Sequence, residues 1–132
     1  MRIEAHEKRL KESINVIEES IGIGIEERQR NIGFNASAAA IDMLEILLHK
    51  TGRISTSQII KHQWLASKRK IEEKLWFDFP RKQELMNLIT AIESRRNKLC
   101  YGTPQPIKEI EGVINDFNRL RQEFRRAMEE IG

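Results

Sequence analysis

Between Ile110 and Met128 the chain sets Ile110, Val113, Ile114, Phe117, Leu120, Phe124 and Met128 at intervals of three and four, with charged residues between them. At 3.6 residues per turn, only a helix gathers such positions onto one stripe. A helix with a single apolar stripe cannot bury it alone, so the rest of the chain must supply partners of the same kind.

It does. Ile3, Leu10, Ile14, Ile17 and Ile21 repeat the spacing in the first segment, and two glycines in IGIG then weaken the helix. A second stripe follows with Ile25, Ile32, Ala36, Ala39, Met43 and Leu47, and includes Gly33 at some cost in helix propensity. It is expected to stop near Gly52, with His49 and Lys50 in the last turn, where cations suit the negative end of the helix dipole. Ser55, Thr56 and Ser57 offer N-caps for a third helix carrying Ile60, Trp64, Ile71 and Leu75 inward.

The connector LWFDFP then brings aromatic residues that must fold back onto the core. A fourth helix is expected from about Pro80, capped by Asp78, with Leu85, Leu88, Ile89, Ile92 and Leu99 inward and Gly102 at its end. Thr103 and Pro104 open the last helix. No segment alternates with period two. The expected fold is all-α: a single domain over residues 1–132, an antiparallel up-and-down helical bundle of four long helices plus a shorter crossing helix.

The totals agree with a thin, well-solvated bundle. With 132 residues there is room for one core, and 39% hydrophobic against 33% charged residues is lean in apolar content. The net charge of +3 is too small to demand a nucleic-acid partner, so any basic patch must come from local clustering. Cys100 is the sole cysteine and has no intrachain disulfide partner. The N-terminal MRIEAHEKRLKE has no apolar signal region, and no run approaches the roughly 18 apolar residues of a membrane span. A cytoplasmic protein with no membrane partner is expected.

Several motifs have ordinary structural explanations. The alanine-rich run over 35–48 suits close helix packing. Asp42 and Glu45 within it are paired carboxylates, but no Glu-x-x-His motif accompanies them, so no metal and no cofactor is expected. His6, His49 and His62 are far apart in sequence and are assigned to solvated faces or helix ends. Lys68, Arg69 and Lys70 beside Trp64 could hold a phosphate by charge and a base by stacking, although Trp64 is spaced for the core. Arg119, Arg121, Arg125 and Arg126 have glutamate partners on their own helix.

The segment ESRRNKLCYG, Glu93 to Gly102, is different. It places Arg95, Arg96, Asn97 and Lys98 in the last turns of the fourth helix, followed by Leu99, Cys100 and Tyr101. Positive charge there is favourable without any function. Yet a helical bundle whose penultimate long helix ends in Arg-Asn, an apolar residue and then Tyr-Gly resembles the HEPN superfamily. LLHKTG after the alanine-rich helix, and Lys61 with His62 beyond it, extend the likeness over most of the chain.

The resemblance implies a small α-helical bundle that forms a homodimer and has a nucleotidyltransferase-type protein partner, and often a metal-independent ribonuclease. The family's catalytic signature is an arginine, commonly with a polar residue after it, and a histidine some five positions later. Arg96 and Asn97 match its first part; Tyr101 stands in the histidine's place, or Cys100 if Arg95 is counted instead. A phenol with a pKa near 10 is a poor substitute for an imidazole near 6.5 at neutral pH. The resemblance therefore implies a non-catalytic module that binds a protein, RNA or nucleotide through Arg95, Arg96, Asn97, Tyr101, Lys68 and Arg69. Its catalytic candidates are Arg96, Asn97 and Tyr101. The alternatives are a ribonuclease toxin of a toxin-antitoxin pair with Tyr101 or Cys100 replacing the histidine, and a helical assembly scaffold without nucleic-acid contact.

Overall fold

The computed structural model describes residues 1–132 and is entirely helical. Its elements are α1 (Ile3–Ile23), α2 (Gln29–Lys50), α3 (His62–Leu65), α4 (Lys68–Lys74), α5 (Lys82–Tyr101) and α6 (Ile107–Ile131). Four are long and two are short. α2 is the central element, packing against α1, α5 and α6, while α5 also packs on α6 and supports α3.

The centrality of α2 follows from its composition. Ile32, Ala36, Ala39, Ala40, Met43, Leu44, Leu47 and Leu48 are all at most 2% exposed, so the helix is apolar nearly all round and needs cover on several sides. By length and composition it could cross a membrane, but 72% of its apolar window is buried against the other helices. Its alanines and Gly33 let neighbours approach closely. A Cβ built on Gly33 would stand 2.6 Å from Cβ of Leu99, so the glycine that weakens the helix is required by the α2–α5 crossing.

α6 buries the expected Ile110, Val113, Phe117 and Leu120, with Ala127 added and Ile114, Phe124 and Met128 packed at the margin. α1 is rotated from its expected orientation. His6, Ser13, Ile17 and Ser20 are buried, whereas Ile21 is 41% exposed. Two serines, Ser13 and Ser20, thus occupy the face of a helix that packs on α2. His6, assigned to a solvated face, is therefore a core residue at 2% exposure, as are Asp42 at 2% and Glu45 at 3%.

The middle of the chain departs most from expectation. Ser55, Thr56 and Ser57 cap no helix; they form an exposed turn, and the backbone stays irregular until His62. The anticipated third helix is two short ones, because Ser67 Oγ accepts from the Lys70 backbone N–H at 3.3 Å and caps a fresh start. Trp64 is half-buried at the core margin with Lys74 over its ring. In the aromatic connector Leu75 and Phe79 are buried, but Trp76 is 77% exposed.

Lys82 Nζ gathers the connector by donating to the carbonyls of Leu75 and Phe77, both at 2.7 Å. α5 is capped by Arg81 and not by Asp78. Arg81 alone among non-glycine residues adopts the left-handed region, φ 57°, and its guanidinium pairs with Glu123 of α6. α6 begins after Pro106 instead of Thr103, with the intervening loop tied to α2 through Gln105 N–H on Gln29 Oε1 at 2.8 Å.

Candidate functional site

The last turns of α5 separate the two adjacent arginines. Arg95 turns toward α6, where Nε lies 3.3 Å from Glu109 and NH1 lies 2.6 Å from Asp116. Glu109 and Asp116 flank Gly112, and a Cβ built on that glycine would stand 3.1 Å from the guanidinium. The arginine thus crosses α6 at its one residue without a side chain. Two of its donor nitrogens are thus engaged within the fold, and the side chain is 31% exposed.

Arg96 turns the other way, toward α2. Its guanidinium carbon is 5.8 Å from the ring centroid of Phe34 and 6.0 Å from that of Tyr101, within range for attraction between a cation and both aromatic faces. Arg96 Nε is buried without a hydrogen-bond partner. Phe34 is 50% and Tyr101 69% exposed, and Asn97 beside them faces solvent. Arg30, Asn31, Phe34, Cys100 and Tyr101 line a shallow cleft here.

One turn before Arg96, Glu93 accepts from Ser37 Oγ at 2.7 Å and meets His62 Nδ1 at 3.1 Å, while Ser37 Oγ is also 3.2 Å from the same nitrogen. Burial pushes the Glu93 carboxyl upward, but hydrogen bonds from His62 and Ser37 and the charges of His62 and Arg96 outweigh it. The group titrates below its ordinary range.

Serine, histidine and carboxylate within reach of one another invite comparison with a nucleophilic triad. The connectivity excludes it, since a triad places the acid on one ring nitrogen and the hydroxyl on the other. Here both meet Nδ1, and Ser37 is wholly buried. The trio is a clamp that holds α3 against α2 and α5.

Cys100, the other stand-in for a catalytic histidine, is 6% exposed and its Sγ points to the Arg30 carbonyl at 3.9 Å. Burial pushes its thiol above the ordinary range despite the opposing charges of Arg96 and Arg30. It is unsuited to proton transfer at neutral pH.

Lys68 and Arg69 stand apart from this group, exposed at the start of α4. Lys68 lines a groove over α5 that reaches Thr90, a turn short of Glu93. The structure therefore brings Arg96 and Tyr101 together with Asn97 alongside, turns Arg95 toward α6, and adds Phe34, Ser37, His62 and Glu93. A signal for the additions was present: Phe34 and Ser37 are three apart on α2, and Glu93 and Arg96 three apart on α5, so each pair shares a face.

Compared with known proteins, the chain matches no family model, no curated protein and no solved structure.

Proposed function

We propose that the four long helices form an antiparallel up-and-down bundle of the HEPN type, and that the protein is a non-catalytic module that dimerises and engages a protein, RNA or nucleotide partner. The observation that carries this reading is Arg96 held between the exposed rings of Phe34 and Tyr101. Two half-exposed aromatics on different helices, centred on an arginine, form the kind of amphipathic anchor that concentrates binding energy at interfaces. A patch of mixed aromatic and cationic character is also self-complementary across a two-fold axis, where each guanidinium can stack on the partner's ring.

Against catalysis stand the burial of Cys100, the shared use of one His62 nitrogen, and the phenol in place of an imidazole. One observation favours the ribonuclease alternative. His62, 34 residues upstream of Arg96 in sequence, reaches Glu93 on the helical turn that precedes it. An imidazole thus stands near the arginine from another part of the chain.

A cleavage assay on single-stranded RNA in the presence of chelator decides between the two. The proposed module leaves the RNA intact. Turnover that disappears in both Arg96→Ala and His62→Ala would establish the enzyme instead. Binding of the same RNA, followed against salt, reports whether the partner is a nucleic acid, because phosphate contacts weaken steeply as salt rises.

A further inference from the structure

At the other end of α2, four polar side chains meet inside the core. His6 of α1 presents Nδ1 to Asp42 Oδ1 at 2.8 Å and Nε2 to Glu45 Oε2 at 2.7 Å. The side chains of His6, Asp42 and Glu45 are only 3%, 3% and 5% exposed. The His49 ring, one turn along α2 from Glu45, lies with its centroid 5.5 Å from that of His6, tilted 33° to it. One ligand atom each from His6, Glu45 and His49 falls within 4.8 Å of the other two.

The pairing is chemically incomplete. His6 Nε2, His49 Nε2 and Asp42 Oδ2 are all buried with no aligned hydrogen bond, although Glu45 is close to the first and Arg9 Nε lies 3.9 Å from the last. In the tautomer that donates Nδ1–H to Asp42, Nε2 of His6 turns its lone pair to a carboxylate oxygen. A second ring nitrogen without a partner, Nε2 of His49, is buried in the same cluster. Leaving such groups unsatisfied is costly, and the arrangement calls for an electropositive centre among them.

We propose that His6, Glu45 and His49 bind one divalent transition-metal ion of the zinc class, with Asp42 as the positioning residue that fixes the His6 tautomer. Two imidazole nitrogens and one carboxylate oxygen are a familiar ligand set for zinc, and a carboxylate on the far nitrogen of a ligating histidine is its usual support. Ligands about 2.0–2.1 Å from a tetrahedral ion stand roughly 3.3 Å apart, a spacing the cluster reaches by small side-chain shifts. Glu45 is already braced, since its Oε1 accepts the buried Ile60 N–H at 2.7 Å, which leaves Oε2 for the metal. The ion would join α1 to α2 and, through Glu45, to the irregular segment before α3.

The test uses the full, tag-free chain, stripped with chelator and titrated with zinc chloride near neutral pH. One equivalent binds, and at a hundredfold excess of zinc over Kd the Tm rises by about 10 °C. Cobalt substituted for zinc gives the visible absorption of a tetrahedral site. His49→Gln, at a half-buried position without a hydrogen bond to lose, stays folded and weakens zinc at least about tenfold. His6→Gln does the same if it folds, and Glu111→Gln, an exposed change on α6, leaves binding unchanged. A folded wild-type chain that ignores zinc overturns the proposal and leaves a proton as the occupant of the cluster. Zinc binding that survives His49→Gln undiminished overturns it equally.

Discussion

The carboxylate of Glu93 meets Nδ1 of His62 at 3.1 Å, joining α5 to the four-residue helix α3. Because Ser37 of α2 donates to the same oxygen at 2.7 Å, a single carboxylate fixes where three helices converge next to Arg96.

That carboxylate makes stability depend on pH in a stated direction. Against the upward push of burial, hydrogen bonds from His62 and Ser37 hold Glu93 below the ordinary glutamate range in the folded chain. A depressed folded pKa contributes stability that is fully present above the unfolded value and is lost as pH falls through the folded one. Urea midpoints measured down an acid series are expected to fall more steeply for the wild type than for Glu93→Gln, the two differing least at the most acidic points. Equal acid slopes would show that the clamp adds nothing.

Gly33→Ala is expected to destabilise the protein by about 1–3 kcal/mol, although alanine is the better helix former by about 1 kcal/mol. The added methyl meets Leu99 Cβ at 2.6 Å, where neither helix can withdraw without opening the core. In Leu99→Gly, which removes the Cβ that the added methyl meets, the same glycine change should cost less, since neighbouring core substitutions couple. Thermal denaturation of the four combinations measures it.

Burial holds the Cys100 thiol above its ordinary range, so the native chain should react slowly with iodoacetamide at neutral pH. Unfolding in denaturant should expose it and restore the rate of a free cysteine. A fast native reaction would reopen the case for Cys100 as a catalytic group.

The sequence disclosed the long helices and most of their inward faces because stripes at three- and four-residue spacing leave few alternatives, as Phe117 and Leu120 on α6 illustrate. The segment over 51–81 was not legible in the same way. The left-handed cap at Arg81 depends on a partner from elsewhere, Glu123 of α6, and the break at Ser67 rests on a local cap that a single serine does not announce. In the candidate site Arg96 and Tyr101 could be singled out from one short segment. That Arg95 would turn to Glu109 and Asp116 required knowing where α6 lies. His6 followed the inward stripe with Leu10, Ser13 and Ile17, but serines and a histidine carry no apolar signal, and an expectation built on hydrophobicity passes over them.

The two arginines should separate by experiment as they do in space. Arg95→Ala is expected to lower stability by about 1 kcal/mol and leave Glu109 and Asp116 facing each other across Gly112, with no effect on association. Arg96→Ala should change the melting temperature little and weaken self-association by about tenfold, the scale of an interface anchor. Thermal melts and sedimentation of both variants provide the comparison.

The most direct measurement is the molar mass by light scattering at micromolar concentration, for the wild type and for Phe34→Ser combined with Tyr101→Ser. The face around Arg96 predicts twice the 15.5 kDa of one chain for the wild type and a shift toward the single-chain mass for the variant. A wild-type mass of one chain, or a dimer that the double substitution leaves intact, would contradict the account.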